Sequence, residues 1–215
     1  MTWLHLSIGL GALLAATVPG FADDQIVRYG DRAQISADRM PLSFTIAGWS
    51  KPDFRQVFRE SGTIGSEPTP TITRYEAAFA HGGYFGALLF VDTTRDVQWK
   101  APTPSATLKQ WAYFRDRPVV TGQTGQVING KMTIDYLLAQ VSGAETASCA
   151  LFSGAAEHAQ LRGFLCAPQT TPLDGAPAFI GALGHPGLLA PVSATLPPVN
   201  AARPRRRRRR RRASC

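Results

Sequence analysis

Chemically reactive side chains are scarce in this sequence. Its 215 residues include only three cysteines and four histidines. No two histidines are spaced at i, i+4 on a predicted helix, the spacing with which a helix presents two zinc ligands. The G-x-S-x-G nucleophile elbow of serine esterases is also missing. These absences argue against zinc hydrolases and common esterases, and we predict neither a metal nor a cofactor.

After residue 18, no segment is long enough and apolar enough to cross a membrane. Leu4 to Val18 is an apolar run broken only by small residues and His5, and it is shorter than the roughly 20 residues that a membrane-spanning helix needs. Gly20-Phe21-Ala22 then offers small residues for cleavage ahead of Asp23. We therefore predict that residues 1–22 are a secretory signal peptide, with a membrane anchor as the alternative.

Charge is nearly balanced outside the C-terminal end. The formal net charge is +8, but nine of the 23 basic residues are clustered there, and the other 14 stand against 15 acidic residues. A neutral body argues against a broad nucleic-acid-binding face on the folded part. The clustered residues are Arg203, Arg205, Arg206, Arg207, Arg208, Arg209, Arg210, Arg211 and Arg212.

This arginine tail predicts non-specific contact with polyanions. Like charges repel one another and keep such a run extended. Guanidinium groups bind phosphate-rich polymers or an anionic membrane surface, and we predict no sequence-specific nucleic acid as partner. We predict that residues 188–215 form a disordered Pro/Ala-rich linker and this tail. The alternative is that the run has no selected role, because GC-rich codons yield Arg and Pro in several reading frames.

Two consecutive β-hairpins are predicted between Val119 and Pro168. The first turns at Asn129-Gly130, a pair that favours a type I′ turn because both central residues need positive φ. The second hairpin places Cys149 opposite Cys166 if its apolar residues set the register. Exported chains meet an oxidising compartment, so we predict a disulfide here, worth roughly 3 kcal/mol in the chain-entropy model. Cys215 is left over.

The second hairpin also carries a resemblance. Cys149 followed by Leu161-Arg162-Gly163-Phe164-Leu165-Cys166-Ala167-Pro168 resembles uncharacterised small exported proteins of alphaproteobacterial type. The likeness is confined to this region and its motif is structural. It implies an exported domain with a disulfide, and it implies no activity and no site residue. The arginine-rich end has no expected counterpart in such proteins.

A helix is predicted to begin at Ser50. Ser50 suits the N-cap and Pro52 the first turn. Phe54, Val57 and Phe58 then recur at i, i+3 and i+4, the spacing of an amphipathic helix.

The remaining segments complete an α+β domain over residues 23–187. Further helices are predicted over residues 105–116 and 176–183, and strands over residues 26–29, 42–49, 71–80 and 84–92. The last two strands are predicted to pair, joined by the turn His81-Gly82-Gly83. The continuous apolar run Tyr84 to Val91 predicts a central strand covered on both faces. The predicted fold class is α+β: a single antiparallel sheet of about six to eight strands, two or three helices and one disulfide.

Two histidines remain as candidates for chemistry. His81 begins a His-Gly-Gly turn similar to the oxyanion loop of esterases. His158 lies five residues after Ser153, and the two are a candidate catalytic pair. The stretch 125–132 nearly matches a phosphate-binding loop, but Met132 occupies the position of the Mg²⁺-binding hydroxyl.

We predict a non-enzymatic exported domain that acts in binding or envelope interaction with an unknown ligand. The alternatives are a hydrolase using His81 or His158, and attachment to a polyanion through the tail.

Overall fold

The computed structural model describes residues 27–49, 54–64, 71–94, 99–143, 146–168 and 173–199. These residues form ten strands: β1 (Val27–Gln34), β2 (Ser43–Phe44), β3 (Phe54–Ile64), β4 (Ile72–His81), β5 (Tyr84–Thr93), β6 (Val119–Asn129), β7 (Met132–Val141), β8 (Ala147–Ala156), β9 (Ala159–Pro168) and β10 (Leu183–Gly184). The α-helices are α1 (Pro104–Thr107), α2 (Ala112–Arg115) and α3 (Ala176–Gly181), and short 3-10 helices span Ala37–Arg39 and Leu108–Gln110.

Eight of the strands form one antiparallel sheet. Their order is β1-β3-β4-β5-β9-β8-β7-β6, so two runs of neighbouring strands meet where β5 pairs with β9. Strands β2 and β10 form a separate two-stranded pair. The predicted α+β class is confirmed, with eight strands, three helices and one disulfide.

Each face of the sheet has its own cover. The core face carries Phe79, Phe90 and Phe152, which pack against residues 35–49 and 173–199. The disulfide face carries Cys149 and Cys166, and over these the connection from β5 to β6 packs Trp111 and Phe114. Since successive strand residues point to opposite faces, a strand beneath both covers needs apolar residues at every position.

Strand β5 meets that requirement, as predicted from its continuous apolar run. Tyr84, Leu88 and Phe90 belong to the core-face cluster, while Phe85 and Leu89 pack on the other side. The predicted pairing of residues 71–80 with 84–92 is also confirmed, since β4 and β5 pair in unbroken register from Ile72–Thr93 to His81–Tyr84.

The predicted disulfide is formed. Cys149 and Cys166 are direct cross-strand partners in β8 and β9, with Cα atoms 4.1 Å apart and a sequence separation of 17. Both side chains are fully buried. On the opposite face, the ring of Phe152 lies 2.5 Å from the place a Cβ would take at Gly163. Glycine is therefore required where this ring lies flat on the sheet.

The helix predicted from Ser50 is wrong, because Phe54 to Ile64 is strand β3. A bulge between Arg55 and Phe58, with Gln56 at φ 50°, adds one residue to this strand. Phe54 and Val57 therefore both reach the core, although a regular strand would point them to opposite faces. The bulge produced the i, i+3 spacing that we interpreted as helical. Residues 50–53 lie outside the described residues.

The first hairpin turns one residue later than predicted. Asn129 pairs with Met132 as the last strand residue, so the central turn residues are Gly130 and Lys131. Only Gly130 has positive φ, at 59°, which is the requirement of a type II′ turn rather than type I′. Asn129 stays in the strand because its buried amide donates to the carbonyls of Ile180 and Leu183 at 3.0 and 2.9 Å.

The predicted linker also begins too early. Residues 188–199 lie along the core face, where Leu188, Leu196 and Val199 pack against the core. The Tyr84 hydroxyl donates to the Pro197 carbonyl at 2.8 Å. Apolar residues between the prolines account for this packing. Residues 1–22 and the arginines from Arg203 to Arg212 lie outside the described residues, so the signal-peptide and tail predictions remain predictions.

Two further elements are shorter than predicted. The strand expected over residues 42–49 is reduced to β2 and a single bridge from Ile46 to Ala194. The helix expected over residues 105–116 is divided into α1, a 3-10 turn and α2. Thr103 caps α1 through its hydroxyl and Pro104 occupies its first turn, which explains where that segment begins. The predicted closing helix is confirmed as α3.

Candidate functional site

Strand β6 forms one edge of the sheet and carries no charge. Its eleven residues, VVTGQTGQVIN, include no Asp, Glu, Lys, Arg or Pro. Val120 and Ile128 are 69% and 78% exposed. Proteins usually protect an edge strand with charges or proline, because its unpaired backbone groups otherwise recruit other strands. Apart from a bulge between Thr121 and Thr124, β6 has none of these protections.

The opposite edge, β1, differs in just this respect. Its eight residues include Arg28, Asp31 and Arg32. Ion pairs continue onto the neighbouring strands, where Arg32 contacts Glu76 at 3.0 Å. The two ends of one sheet therefore present different surfaces, one charged and one neutral.

The hairpin geometry determines which backbone groups of β6 point outward. Asn129 and Met132 flank a two-residue turn, so they exchange backbone hydrogen bonds, and hydrogen-bonded pairs alternate along the ladder from that point. The N–H and C=O groups of Thr124, Gln126 and Ile128 therefore point away from β7. In the described part of the chain, no strand pairs with that side of β6.

A groove of about 540 Å³ lies next to this edge. Residues 103–105, 124–126 and 135–137 line it, so it runs between α1 and strands β6 and β7. Its polar groups are hydroxyls and amides together with one carboxylate, that of Asp135, which accepts a hydrogen bond from Gln126 at 2.8 Å. The lining contains no histidine, so these hydroxyls have no imidazole base within the groove. The hydroxyls, amides and carboxylate of the lining can donate hydrogen bonds to a bound group or accept them from it.

The two candidate histidines lie far apart. His81 ends β4, where its ring packs 5.1 Å from that of Trp49. The carbonyl of His158 accepts from the backbone of Thr93, at the other end of β5. Ten strand residues separate the two ends, a length of about 30 Å. His81 and His158 therefore do not share one site.

The pairing of Ser153 with His158 does not form. Ser153 is fully buried inside β8, and its hydroxyl donates to the carbonyl of Pro102 at 2.5 Å. His158 lies in the turn after that strand, 4.0 Å from the exposed carboxylate of Glu157. This serine holds the cover of the disulfide face instead of serving as a nucleophile.

Sequence reasoning missed a buried polar cluster around Arg162. This arginine is 5% exposed, and its guanidinium donates to Gln110 at 2.8 Å and to Gln160 at 2.7 Å. Gln160 in turn donates to the Lys100 carbonyl at 3.0 Å. Burial lowers the pKa of Arg162 to about 10, so it stays charged at neutral pH. The cluster fastens the β5–β6 connection onto β9, and no sequence motif pointed to it.

No family model matches the chain, and no curated protein matches it.

Within the described ranges, no group of three or more His, Cys, Asp or Glu side chains could hold a metal ion. No helix among those residues is long and apolar enough to cross a membrane.

Proposed function

We propose that this chain is an exported, non-enzymatic binding module acting at the cell envelope or outside the cell. One observation carries the proposal: the neutral, exposed strand β6 borders a groove whose lining has polar groups but no histidine. A binding surface needs shape and hydrogen-bonding groups, and both are present here.

A thermal-shift screen of purified chain against peptides and glycans tests the binding function. A ligand at 100 times its Kd should stabilise the folded state by about 2.7 kcal/mol, which raises Tm. The double variant His81→Gln/His158→Gln should keep this shift, because neither histidine lies in the groove. A ligand that is turned over by the wild type but not by this variant would instead support the hydrolase alternative.

Export is supported by the disulfide. A buried Cys149–Cys166 bond forms and persists in oxidising compartments and is rare in the cytosol. N-terminal sequencing of the protein from a periplasmic or secreted fraction should begin at Asp23, within a residue or two. An intact N-terminus beginning at Met1 in the membrane fraction would favour the anchor alternative.

The tail adds a separate contribution to this proposal. The arginines from Arg203 to Arg212 attach the module to a polyanion or an anionic membrane surface without base specificity. This contact is independent of the β6 groove, since the folded part has a nearly neutral composition.

A further inference from the structure

We infer that β6 binds its partner by strand addition: an extended, uncharged peptide segment of another protein pairs along the outer edge of β6. This inference rests on the proposed binding function and names the partner class for that site. In strand addition, main-chain hydrogen bonds supply affinity, and positions for alternate side chains supply specificity.

The backbone groups of β6 that no described strand pairs with supply the first requirement. Thr124, Gln126 and Ile128 each direct one N–H and one C=O outward, and they follow one another at the two-residue spacing of an incoming strand. Their side chains share the disulfide face, because their partners Leu137, Asp135 and Thr133 lie in the same alternate row of β7 as Ala139, which belongs to the disulfide-face cluster. The added strand therefore meets hydrogen-bonding groups and side chains in one regular row.

The groove supplies the second requirement. Thr124 and Gln126 belong both to the outward row and to the groove lining. Alternate side chains of the added peptide therefore lie at the groove's mouth. The bound peptide should place a small side chain that donates a hydrogen bond beside Gln126 and Asp135, and an apolar side chain beside the exposed Ile128. A peptide with several charges is disfavoured, since β6 itself has no charged residue along its length and the groove adds only the Asp135 carboxylate.

The area of the edge favours a peptide over a second copy of this chain. Eleven strand residues span about 37 Å, and a sheet edge is about 10 Å high. A rigid edge-to-edge dimer would therefore bury about 370 Å² per partner, less than half of the roughly 800 Å² typical of a stable interface. A peptide does not require a large rigid interface, because it can also fill the adjacent groove.

A library of displayed unstructured peptides, selected on the wild-type chain, tests the inference. Enriched peptides should be uncharged with apolar residues at every second position. Gln126→Pro should weaken their binding by at least about tenfold, because it removes one outward N–H. Proline is tolerated at an edge position whose N–H faces solvent. Ile128→Lys should weaken binding by a similar factor. It replaces Gln126→Pro as the test variant if the proline variant fails to fold. The matched control Ala33→Lys, exposed on the opposite edge, should leave binding unchanged.

Methylation of single peptide nitrogens provides the decisive readout. Binding should be lost at every second peptide position and kept at the positions between, because only alternate N–H groups face β6. If both Gln126→Pro and Ile128→Lys bind the peptides as tightly as the wild type does, strand addition is overturned but a binding module remains. Failure to enrich any peptide also overturns strand addition, whereas cleavage of the peptides would overturn the proposed function itself. Concentration-dependent dimers of the wild type that Gln126→Pro abolishes would identify a second copy as the occupant and overturn the peptide assignment.

Discussion

Asn129 links the first hairpin to the C-terminal segment that covers the core face. Its side chain is 2% exposed, and its amide donates to the carbonyls of Ile180 and Leu183 at 3.0 and 2.9 Å. These residues lie more than fifty positions away along the chain. The hairpin and α3 are therefore held together by one side chain as well as by apolar packing.

The substitution Asn129→Ala removes the side-chain amide, so the buried carbonyls of Ile180 and Leu183 lose their hydrogen bonds to it. Losing hydrogen bonds to buried groups of this kind costs about 2–3 kcal/mol. For a domain of this size, each kcal/mol lowers Tm by about 2–4 °C, so Tm should fall by roughly 4–12 °C. Thermal and urea unfolding followed by circular dichroism, with the disulfide intact in every sample, measures both quantities.

Gln126→Ala is the matched control. Gln126 is an amide side chain in the same strand, but its hydrogen bond to Asp135 is exposed, so the free energy of unfolding should change by less than about 0.5 kcal/mol. The variant Asn129→Asp adds a further test, because a carboxylate cannot donate, and its lost stability should partly return at low pH when the carboxyl is protonated. Equal destabilisation by Asn129→Ala and Gln126→Ala would refute the reasoning.

Three other predictions concern the disulfide, one histidine and the tail. The double variant Cys149→Ala/Cys166→Ala should lose about 3 kcal/mol in urea unfolding, and, unlike the wild type, it should not respond to reductant. Burial lowers the pKa of His185, and Asp92 offsets this in part; stability should therefore be fully present above about pH 6.5 and fall below it. His185→Gln should lose that fall, and a wild-type urea midpoint that does not change between about pH 7.5 and 5.5 contradicts the assignment. Truncation after Asn200 should abolish heparin retention without changing Tm, and the intact chain's log K for DNA should fall against log salt with a slope of roughly −6 to −8; retention by the truncated chain would place a basic surface on the folded part.

Local sequence signals predicted the second hairpin correctly. Cys149 and Cys166 are 17 residues apart, and the strands between them meet across a short turn. Their register follows from apolar residues and turn residues that are close in sequence. The same reasoning predicted the β4–β5 hairpin, which forms in unbroken register.

Local signals failed where backbone irregularity changed the periodicity. Phe54 and Val57 share a face only because of the bulge at Gln56, and three apolar residues cannot distinguish a bulged strand from a helix. The pair Asn129-Gly130 placed the predicted turn one residue too early, for a different reason. The Asn129 side chain is bound by α3, a partner that lies far away in the sequence.

The candidate site depends on strand order. Nothing local to residues 119–129 says that β6 is an edge, because that depends on β5 pairing with β9 across the whole second half of the sheet. The sequence shows that this stretch has no charged residue. That absence favours pairing with another strand only when the stretch is an edge strand. The Arg162 cluster likewise joins Gln110 to β9 through contacts that no spacing rule predicts.

The sequence by itself determined the hairpins, the disulfide pair, the central position of β5 and the neutral charge of the body, since each depends on periodicity, turn residues or composition. Only the tertiary structure decided that β6 lies at an edge of the sheet, that His81 and His158 lie near opposite ends of β5, and that Arg162 is buried. The physical reason is that these three properties come from pairing and packing between residues distant in the chain. Such contacts are selected by the burial of the whole core rather than by any single segment.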